Sequence, residues 1–531
     1  MTPQRESDAA LGGTALVLAI LVIIIGSFMS FLDSTIVNVA IPTLQAQFGA
    51  SADQIDWVVT VYLLMTGVCV PVSGWLADRF GMSRIYQVAL IIFTAGSALS
   101  GLSWSIGSLI FFRALQAIGG GLLGPITMAM IYRIVPRDRI GTWAGVFGIT
   151  IALAPAIGPT LGGYLVQYVD WRLIFYVNVP IGIIAILMAF AVLPPLAGQR
   201  GRSFDFWGFV TASSGLGLLL YALNEGAVWG WTSEAIVLMA LAAVWLLVLF
   251  VLIELNTPEP LLDIKVFRNR TFTLTSIMIP VIVTCLYSGT YYVPLYMQTV
   301  QGVGAMPTGL TLMPAALMMG MLMPVAGRLY DKIGARVPAV IGMALMTVAT
   351  LLLRGIDQET PRTTIMLMMM LRETGVGLTM MPTMTAGLAV IPGEEIARAS
   401  AINNIIQRAA ASFGLAALTS VFTGSMGARQ AQLSWSLTPF NRGFASLVRA
   451  LSAPAAQLTH LPVIQSAQAV AGEAAARVIF ARAYTDAVKD VWLWAAVSAA
   501  VGFGLAWLLR GQRPAAPPAG TRPVVAEGSA R

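Results

Sequence analysis

Apolar residues along this chain gather into runs of about 20, the length a helix needs to cross roughly 30 Å of hydrocarbon. Six predicted spans fall near 14–40, 54–73, 85–103, 106–130, 141–168 and 174–194. Eight more fall near 206–224, 234–254, 271–293, 306–327, 337–354, 363–389, 399–424 and 487–509. Basic residues collect in every second loop: Arg79 and Arg84; Arg133, Arg137 and Arg139; Arg200 and Arg202; Lys265, Arg268 and Arg270; Arg328, Lys332 and Arg336. The stretches 41–56, 103–107 and 297–306 on the other side carry none. Lys and Arg concentrate on the cytoplasmic side of spanning proteins, so these basic loops are expected inside, and an even number of spans puts both termini there too. The first run is too long for a cleaved signal sequence and is expected to remain as a helix.

Composition adds what the pattern leaves open. With 57% hydrophobic and 10% charged residues, the chain reads as an all-α polytopic protein whose solvent is the lipid bilayer. Its net charge of +7 sits in short loops between spans, which argues against nucleic acid as a partner. One histidine, His460, and two cysteines, Cys69 and Cys285, are too few for a metal cluster. Both cysteines fall in predicted spans, which argues against a structural disulfide. The three lysines, Lys265, Lys332 and Lys489, follow Ile, Asp and Val, so no Gly-Lys loop of an ATP-driven pump exists within this chain. No repeated filter or charge ring of a channel is present either. A transporter rather than an enzyme is expected, without a cofactor and driven by an ion gradient.

An internal repeat gives the organisation. GWLADRFG (Gly74 to Gly81) between spans two and three recurs as GRLYDKIG (Gly327 to Gly334) between spans ten and eleven. An intramembrane arginine follows each: Arg113 comes 35 residues after Asp78, and Arg372 comes 41 after Asp331. The layout read from this is a tail (1–13), a six-helix half (14–194), a linker with two extra helices (195–270), a second six-helix half (271–509) and a Pro- and Ala-rich tail (510–531) expected to be disordered. Parallel halves with a substrate site at their interface are the architecture of major facilitator transporters.

The resemblance to that family covers nearly the whole chain. GWLADRFG, RALQAIGGG in span four and GPTLGG in span five resemble its three diagnostic motifs, in order and in the matching helices. LDSTIVNVAIP, DWRLIFYVNVPIG, ASAINNIIQRAAASFG and the fourteen-helix layout resemble more narrowly the drug:proton antiporters of the EmrB/QacA type. Met82 and Ser83 depart from a basic pair, while Ala117 and Ala154 replace glycines. The resemblance implies proton-coupled efflux of amphiphilic or cationic drugs across a bacterial inner membrane. The alternative is the same fold exporting one dedicated metabolite, lipid or siderophore.

Five residues stand out for coupling and substrate recognition: Asp33, Arg113, Gln116, Arg372 and Glu373. At 1.5 Å per residue, Asp33 is about 12 Å from the outer end of its span if that end is near Ile41; Arg113 lies about 12 Å below Ser105 and Arg372 about 14 Å below Thr363. All three therefore fall near the midplane of the bilayer. A carboxylate that alternates between a proton and a cation needs burial, which favours its neutral form, and a nearby arginine, which favours its charged form. Polar glue between helices is the competing reading for Asp33 and Arg113. For Arg372, whose neighbours are glycines, it is packing. Glu373 reads either as a second titrating acid or as a local partner of Arg372. Glu225 and Glu254, at predicted helix ends, are expected to be solvated.

In the repeated loop, Gly74, Asp78, Arg79, Gly81, Arg84 and Asp331 read as a conformational latch, the acids accepting from helix N-termini or loop arginines in one conformation. Gly158, Pro159, Gly162 and Gly163 allow close helix packing, and in the resembling family this motif marks antiporters. Methionines crowd spans ten and twelve, from Met313 to Met323 and from Met366 to Met384, either as an adaptable wall for apolar ligands or as packing against lipid and neighbouring helices. Tyr287, Tyr291 and Tyr292 read as cation-stacking faces or interfacial anchors. Residues 425–486, with Phe444, Leu447 and Leu451 at helical spacing, are expected as helices on the outer face. They either cover the bundle or, as the resemblance implies for a two-membrane bacterium, dock a periplasmic adaptor protein.

Overall fold

The computed structural model describes residues 13–196, 198, 203–434 and 463–509. Phe444, Leu447, Leu451, His460, Arg200, Arg202 and the tail after Leu509 lie outside them. All described regular elements are helices. The N-terminal half comprises α1 (Gly13–Phe48), α2 (Ala52–Phe80), α3 (Met82–Gly101), α4 (Ile106–Ile134), α5 (Ile140–Tyr168) and a sixth span made of α6 (Leu173–Tyr176) and α7 (Asn178–Val192). Next come α8 (Phe206–Trp229) and α9 (Glu234–Asn256). The C-terminal half comprises α10 (Arg270–Thr290) continued by α11 (Tyr292–Thr299), then α12 (Ala305–Ile333), α13 (Arg336–Leu353), α14 (Arg362–Ala389), α15 (Ile396–Ser434) and α16 (Val463–Leu508). Thirteen helical segments among the described residues are long and apolar enough to cross a membrane. The 28-residue α14, which carries Arg372 and Glu373 at its centre, packs with α12 and α13 in the same bundle.

Local chemistry explains where helices start and break. Ser51 and Gln54 form a reciprocal capping box at the start of α2, and Asn269 Oδ1 accepts the Thr271 amide at the start of α10. Pro180 removes the amide that the Tyr176 carbonyl would use, and the sixth span breaks there, leaving Asn178 at the start of α7. Pro294 does the same to Thr290, where α10 gives way to α11.

Several helices outrun the apolar segments that predicted them. The helix of span one continues through Pro42 to Phe48 and ends only at Gly49, whose φ of 59° suits glycine. Of the segment 425–486, expected as helices on the outer face, 425–434 continues α15 and 463–486 is the first part of α16, while 435–462 lie outside the described residues. Hydropathy marks the part of a helix that meets lipid. Backbone hydrogen bonding carries the helix beyond it. Where these two extensions pass each other, Arg429 pairs with Asp486 at 3.3 Å and Asp490 at 2.5 Å.

The halves meet along two seams, α5 against α12 and α2 against α15, with α4 also touching α15 and α14 touching α5. The extra pair sits at one flank: α8 packs on α2 and α15, while α9 packs on α8. Glu254 departs from its expected solvation. The loop after α9 folds back over it, so it is buried and accepts the Leu262 amide at 3.1 Å. Glu225 is half-buried and takes Asn224 Nδ2 at 3.1 Å.

Candidate functional site

Asp33 is completely buried on α1. Arg113 Nη1 donates to its Oδ2 at 2.5 Å, while Gln116 Nε2 donates to its Oδ1 at 2.9 Å. The i, i+3 spacing on α4 lets Arg113 also donate to Gln116 Oε1 at 2.8 Å. A third helix contributes Asn178, whose Nδ2 donates to Asp33 Oδ1 at 3.2 Å and to Ser97 Oγ at 3.2 Å. The break at Pro180 is what places this amide at the head of α7. Arg113 is held further by the Val58 carbonyl at 3.3 Å from Nε, and its guanidinium lies 4.1 Å from the centre of the Tyr62 ring. One carboxylate thus ties α1 to α4 and α7, with α2 supporting the arginine.

The second pair is built differently. Arg372 Nη1 donates to Glu373 Oε1, its own neighbour on α14, and Nη2 reaches the Leu286 carbonyl at 3.1 Å and Ser288 Oγ at 3.3 Å on α10. Both side chains are buried, and Glu373 Oε2 has no partner among the described residues. The other half's acid on the first helix has its counterpart here in Ser288.

At the end bearing the basic loops, the repeated motif clamps the halves. Asp331 Oδ1 accepts the Gly141 amide at 2.8 Å, and Oδ2 accepts the amide and hydroxyl of Thr142 at 2.8 and 2.7 Å. This is a carboxylate on the first turn of α5, where helix amides lack internal partners. Asp78 instead meets Arg398 of α15, Oδ2 to Nε at 3.4 Å. Close approach accompanies both contacts: a Cβ on Gly327 would lie 1.9 Å from the Gly141 carbonyl oxygen, and one on Gly74 would lie 3.1 Å from the Arg398 Cα. Gly81 and Gly334 end α2 and α12 with φ of 95° and 81°, which only glycine adopts readily. Arg79 is half-buried beside Gly81, and Arg84 is exposed on the first turn of α3. Tyr132 Oη to the Thr385 carbonyl at 2.9 Å and Ser400 Oγ to the Pro125 carbonyl at 2.9 Å complete the closure.

The glycines of GPTLGG face α1 just beyond Asp33. A Cβ on Gly158 would lie 2.2 Å from Thr35 Oγ1, one on Gly162 2.8 Å from the Ile36 carbonyl oxygen, and one on Gly163 3.8 Å from Val39. Pro159 points away and is exposed. Of the methionines, Met323, Met380, Met381 and Met384 are buried in packing, whereas Met313 and Met321 are exposed. Tyr292 is buried with its hydroxyl 3.0 Å from Thr419, Tyr287 is half-buried, and Tyr291 is exposed. Cys69 and Cys285 are both free.

Four residues were not singled out from the sequence: Tyr62, Asn178, Arg398 and Arg408, the last on α15 with its Nη1 donating to Thr66 Oγ1 of α2 at 2.9 Å. Asn178 and Arg408 lie within segments quoted for the resemblance, and a polar side chain within an apolar run was the signal that could have found them. Arg398 had no comparable signal, because it sits at a helix end where arginines are common.

Comparison with known proteins bears on the family and the fold. A sequence profile described as Major Facilitator Superfamily matches residues 23–415. The chain is 32% identical over 502 residues, 93% of each chain, to the "Uncharacterized MFS-type transporter YhcA" of Bacillus subtilis. It is 30% identical to the "Multidrug export protein EmrB" of Haemophilus influenzae, covering 81% of this chain and 85% of that one, in line with the resemblance to the EmrB/QacA type. Among solved structures, the human organic anion transporter MFSD10 (TETRAN) superposes with a TM-score of 0.60 at 12% identity, covering 92% of this chain and 99% of that one, which speaks to the fold alone. The profile spans most of both halves, the repeated loop motif clamps them together and the solved fold agrees, so this multi-pass membrane protein is a transporter and belongs to the Major Facilitator Superfamily.

Proposed function

We propose that the protein is a proton-coupled exporter of amphiphilic compounds, working by alternating access in a bacterial cytoplasmic membrane with its basic loops and both termini inside. It uses no cofactor, and the proton gradient drives it. The observation that carries this reading is the buried Asp33, held by Arg113, Gln116 and Asn178 from two other helices.

A proton arriving from outside neutralises Asp33 and removes the charge that binds α1 to Arg113. Arg113 keeps Gln116 Oε1, the Val58 carbonyl and the Tyr62 ring, so it stays in place while α1 is released. Breaking a buried ion pair from one side costs about 3–5 kcal/mol. The membrane potential contributes about 2.3 kcal/mol per charge per 100 mV, so the gradient operates on the required scale.

Transmission to the gate runs through α5. Its Gly158 and Gly162 grip α1 at Thr35 and Ile36, and its first turn sits in the carboxylate of Asp331. The two contacts are 17 residues apart on one helix, about 26 Å along its axis. A shift of α1 against α5 is thereby felt at the latch, which opens inward to load substrate. Loss of the proton inside then restores the pair.

Reconstituted vesicles test this. Asp33→Asn keeps hydrogen bonding to its neighbours but cannot take up or release a proton, so substrate-induced proton flux and gradient-driven export should both vanish while membrane insertion is retained and the lost ion pair lowers the melting temperature without unfolding the protein. Full export by that variant against a pH gradient would remove Asp33 from the mechanism.

The runner-up, export of a single dedicated metabolite, is favoured by the tight packing of Met380, Met381 and Met384, which leaves less of an adaptable wall in this conformation. A ligand-stabilisation screen separates the two by whether one compound or many raises the melting temperature.

A further inference from the structure

Arg113, Arg372 and Arg408 lie on interior turns of α4, α14 and α15, and among the described residues only the first two have an acid. Arg113 holds Asp33 and Arg372 holds Glu373. No ion pair joins Arg408 to a carboxylate among the described residues. Its Nη1 donates to Thr66 Oγ1 of α2 at 2.9 Å, and its Nε has no partner. The titratable groups that face it are Tyr62 of α2, Tyr287 of α10 and Cys69 of α2, all uncharged in their ordinary states.

Its position is as informative as its solitude. Tyr62 lies under the guanidinium of Arg113, while Tyr287 adjoins Ser288, which accepts from Arg372. Arg408 therefore stands between the two neutralised pairs, on a helix of one half and bonded to a helix of the other. Two pairs cancel and one cation is left over. Arg408 is half-buried, its guanidinium cannot shed its proton, and holding it between helices without a counter-ion among the described residues is costly unless something else supplies the charge. Such a fork takes up carboxylates and related anions with paired hydrogen bonds, and the phenol rings beside it offer apolar faces to the rest of the molecule.

We propose that Arg408 receives the anionic group of the transported amphiphile, so that the protein selects carboxylate-bearing or zwitterionic amphiphiles over purely cationic ones. This rests on the reading that substrate is taken up between the halves, and it narrows that reading to a charge class. It also gives substrate a route to the proton site, because Thr66, which accepts from Arg408, stands one turn from Tyr62, which lies under Arg113, on α2.

The test uses the full chain in phosphatidylcholine nanodiscs and two probes of like shape, 4-(1-pyrenyl)butanoate and 4-(1-pyrenyl)butyl-trimethylammonium. The parent should bind the carboxylate about tenfold more tightly or better. Arg408→Gln should lose that preference through weaker carboxylate binding, with cation affinity within about threefold of the parent. Unchanged carboxylate binding in Arg408→Gln would overturn the proposal and make Arg408 a strut to Thr66. Should Arg408→Gln fail to fold, Arg408→Lys decides: it keeps the charge without the fork, so carboxylate affinity should fall while the preference for anion over cation survives, and an unchanged affinity overturns the proposal. Repeating the titration with phosphatidylglycerol in the disc distinguishes the occupants, since strong competition by that lipid would assign the site to a headgroup and overturn the substrate role. Binding is read without a gradient, so its failure leaves proton-driven export standing, and failure of export leaves the binding preference standing.

Discussion

The two halves carry the same arginine on equivalent helices and give it its acid in different ways. In the N-terminal half, Asp33 reaches Arg113 across 80 residues of sequence, and Gln116 and Asn178 join from α4 and α7. In the C-terminal half, Glu373 is the residue next to Arg372 on the same helix, and the first helix offers only Ser288 Oγ and a carbonyl. A pair shared between helices depends on where the helices stand; a pair confined to one helix travels with it. The N-terminal pair is therefore suited to couple charge to helix movement. The C-terminal pair anchors α14 to α10 whatever its partner half does. The latch repeats the asymmetry, with Asp331 seated on helix amides and Asp78 on an arginine.

The largest expected effect breaks the shared pair outright. Asp33→Leu leaves Arg113 buried without its acid and should lower stability by about 3–5 kcal/mol. Glu373→Gln keeps a hydrogen-bond acceptor beside Arg372 and should cost about 1–2 kcal/mol. Denaturation in mixed micelles measures both, and equal losses would mean that the two pairs do the same job.

At the latch, Gly327→Ala pushes a methyl group into the backbone of Gly141, so the state closed at the basic end should lose about 1–3 kcal/mol. Spin-label distances between the basic-end loops of the two halves should lengthen accordingly. An unshifted distribution would show that α5 and α12 can yield without parting.

A smaller change is expected from Asp331→Asn, which keeps one acceptor oxygen but gives up the charge on the first turn of α5. Its cost of about 1–2 kcal/mol corresponds to a roughly five- to thirtyfold shift in the populations of the two states. Turnover should change while ligand affinity measured at equilibrium stays close to that of the parent. Affinity loss with normal turnover would make Asp331 part of the binding site.

Gly158→Ala probes the join between the proton site and α5. Its Cβ would crowd Thr35 Oγ1, and the double variant with Thr35→Ala should recover at least half of the lost export, a coupling of about 1 kcal/mol. Without recovery, the contact between α1 and α5 would not be the route.

What the sequence determined was set by solvent and by local chain chemistry. Runs of apolar residues predict fourteen spans, of which thirteen described helical segments are long and apolar enough to cross a membrane, basic loops group their ends, and GWLADRFG recurs as GRLYDKIG, because each of these follows from near neighbours in the chain. Asp33, Arg113 and Gln116, which the structure brings together, were legible as candidates because polar and charged groups within hydrocarbon are costly enough to need a reason. Helix ends were less legible, since α1, α15 and α16 continue by backbone hydrogen bonding after lipid has ceased to select their side chains. Tertiary structure decided the partners: Asn178 joining the shell of Asp33, Arg398 of the other half meeting Asp78, the folding of a loop over Glu254, and Arg408 without an acid among the described residues. Apart from the Glu254 loop, which closes over eight residues, those contacts join residues more than a hundred positions apart, and their distances are fixed by how helices pack, which no local pattern in the chain records.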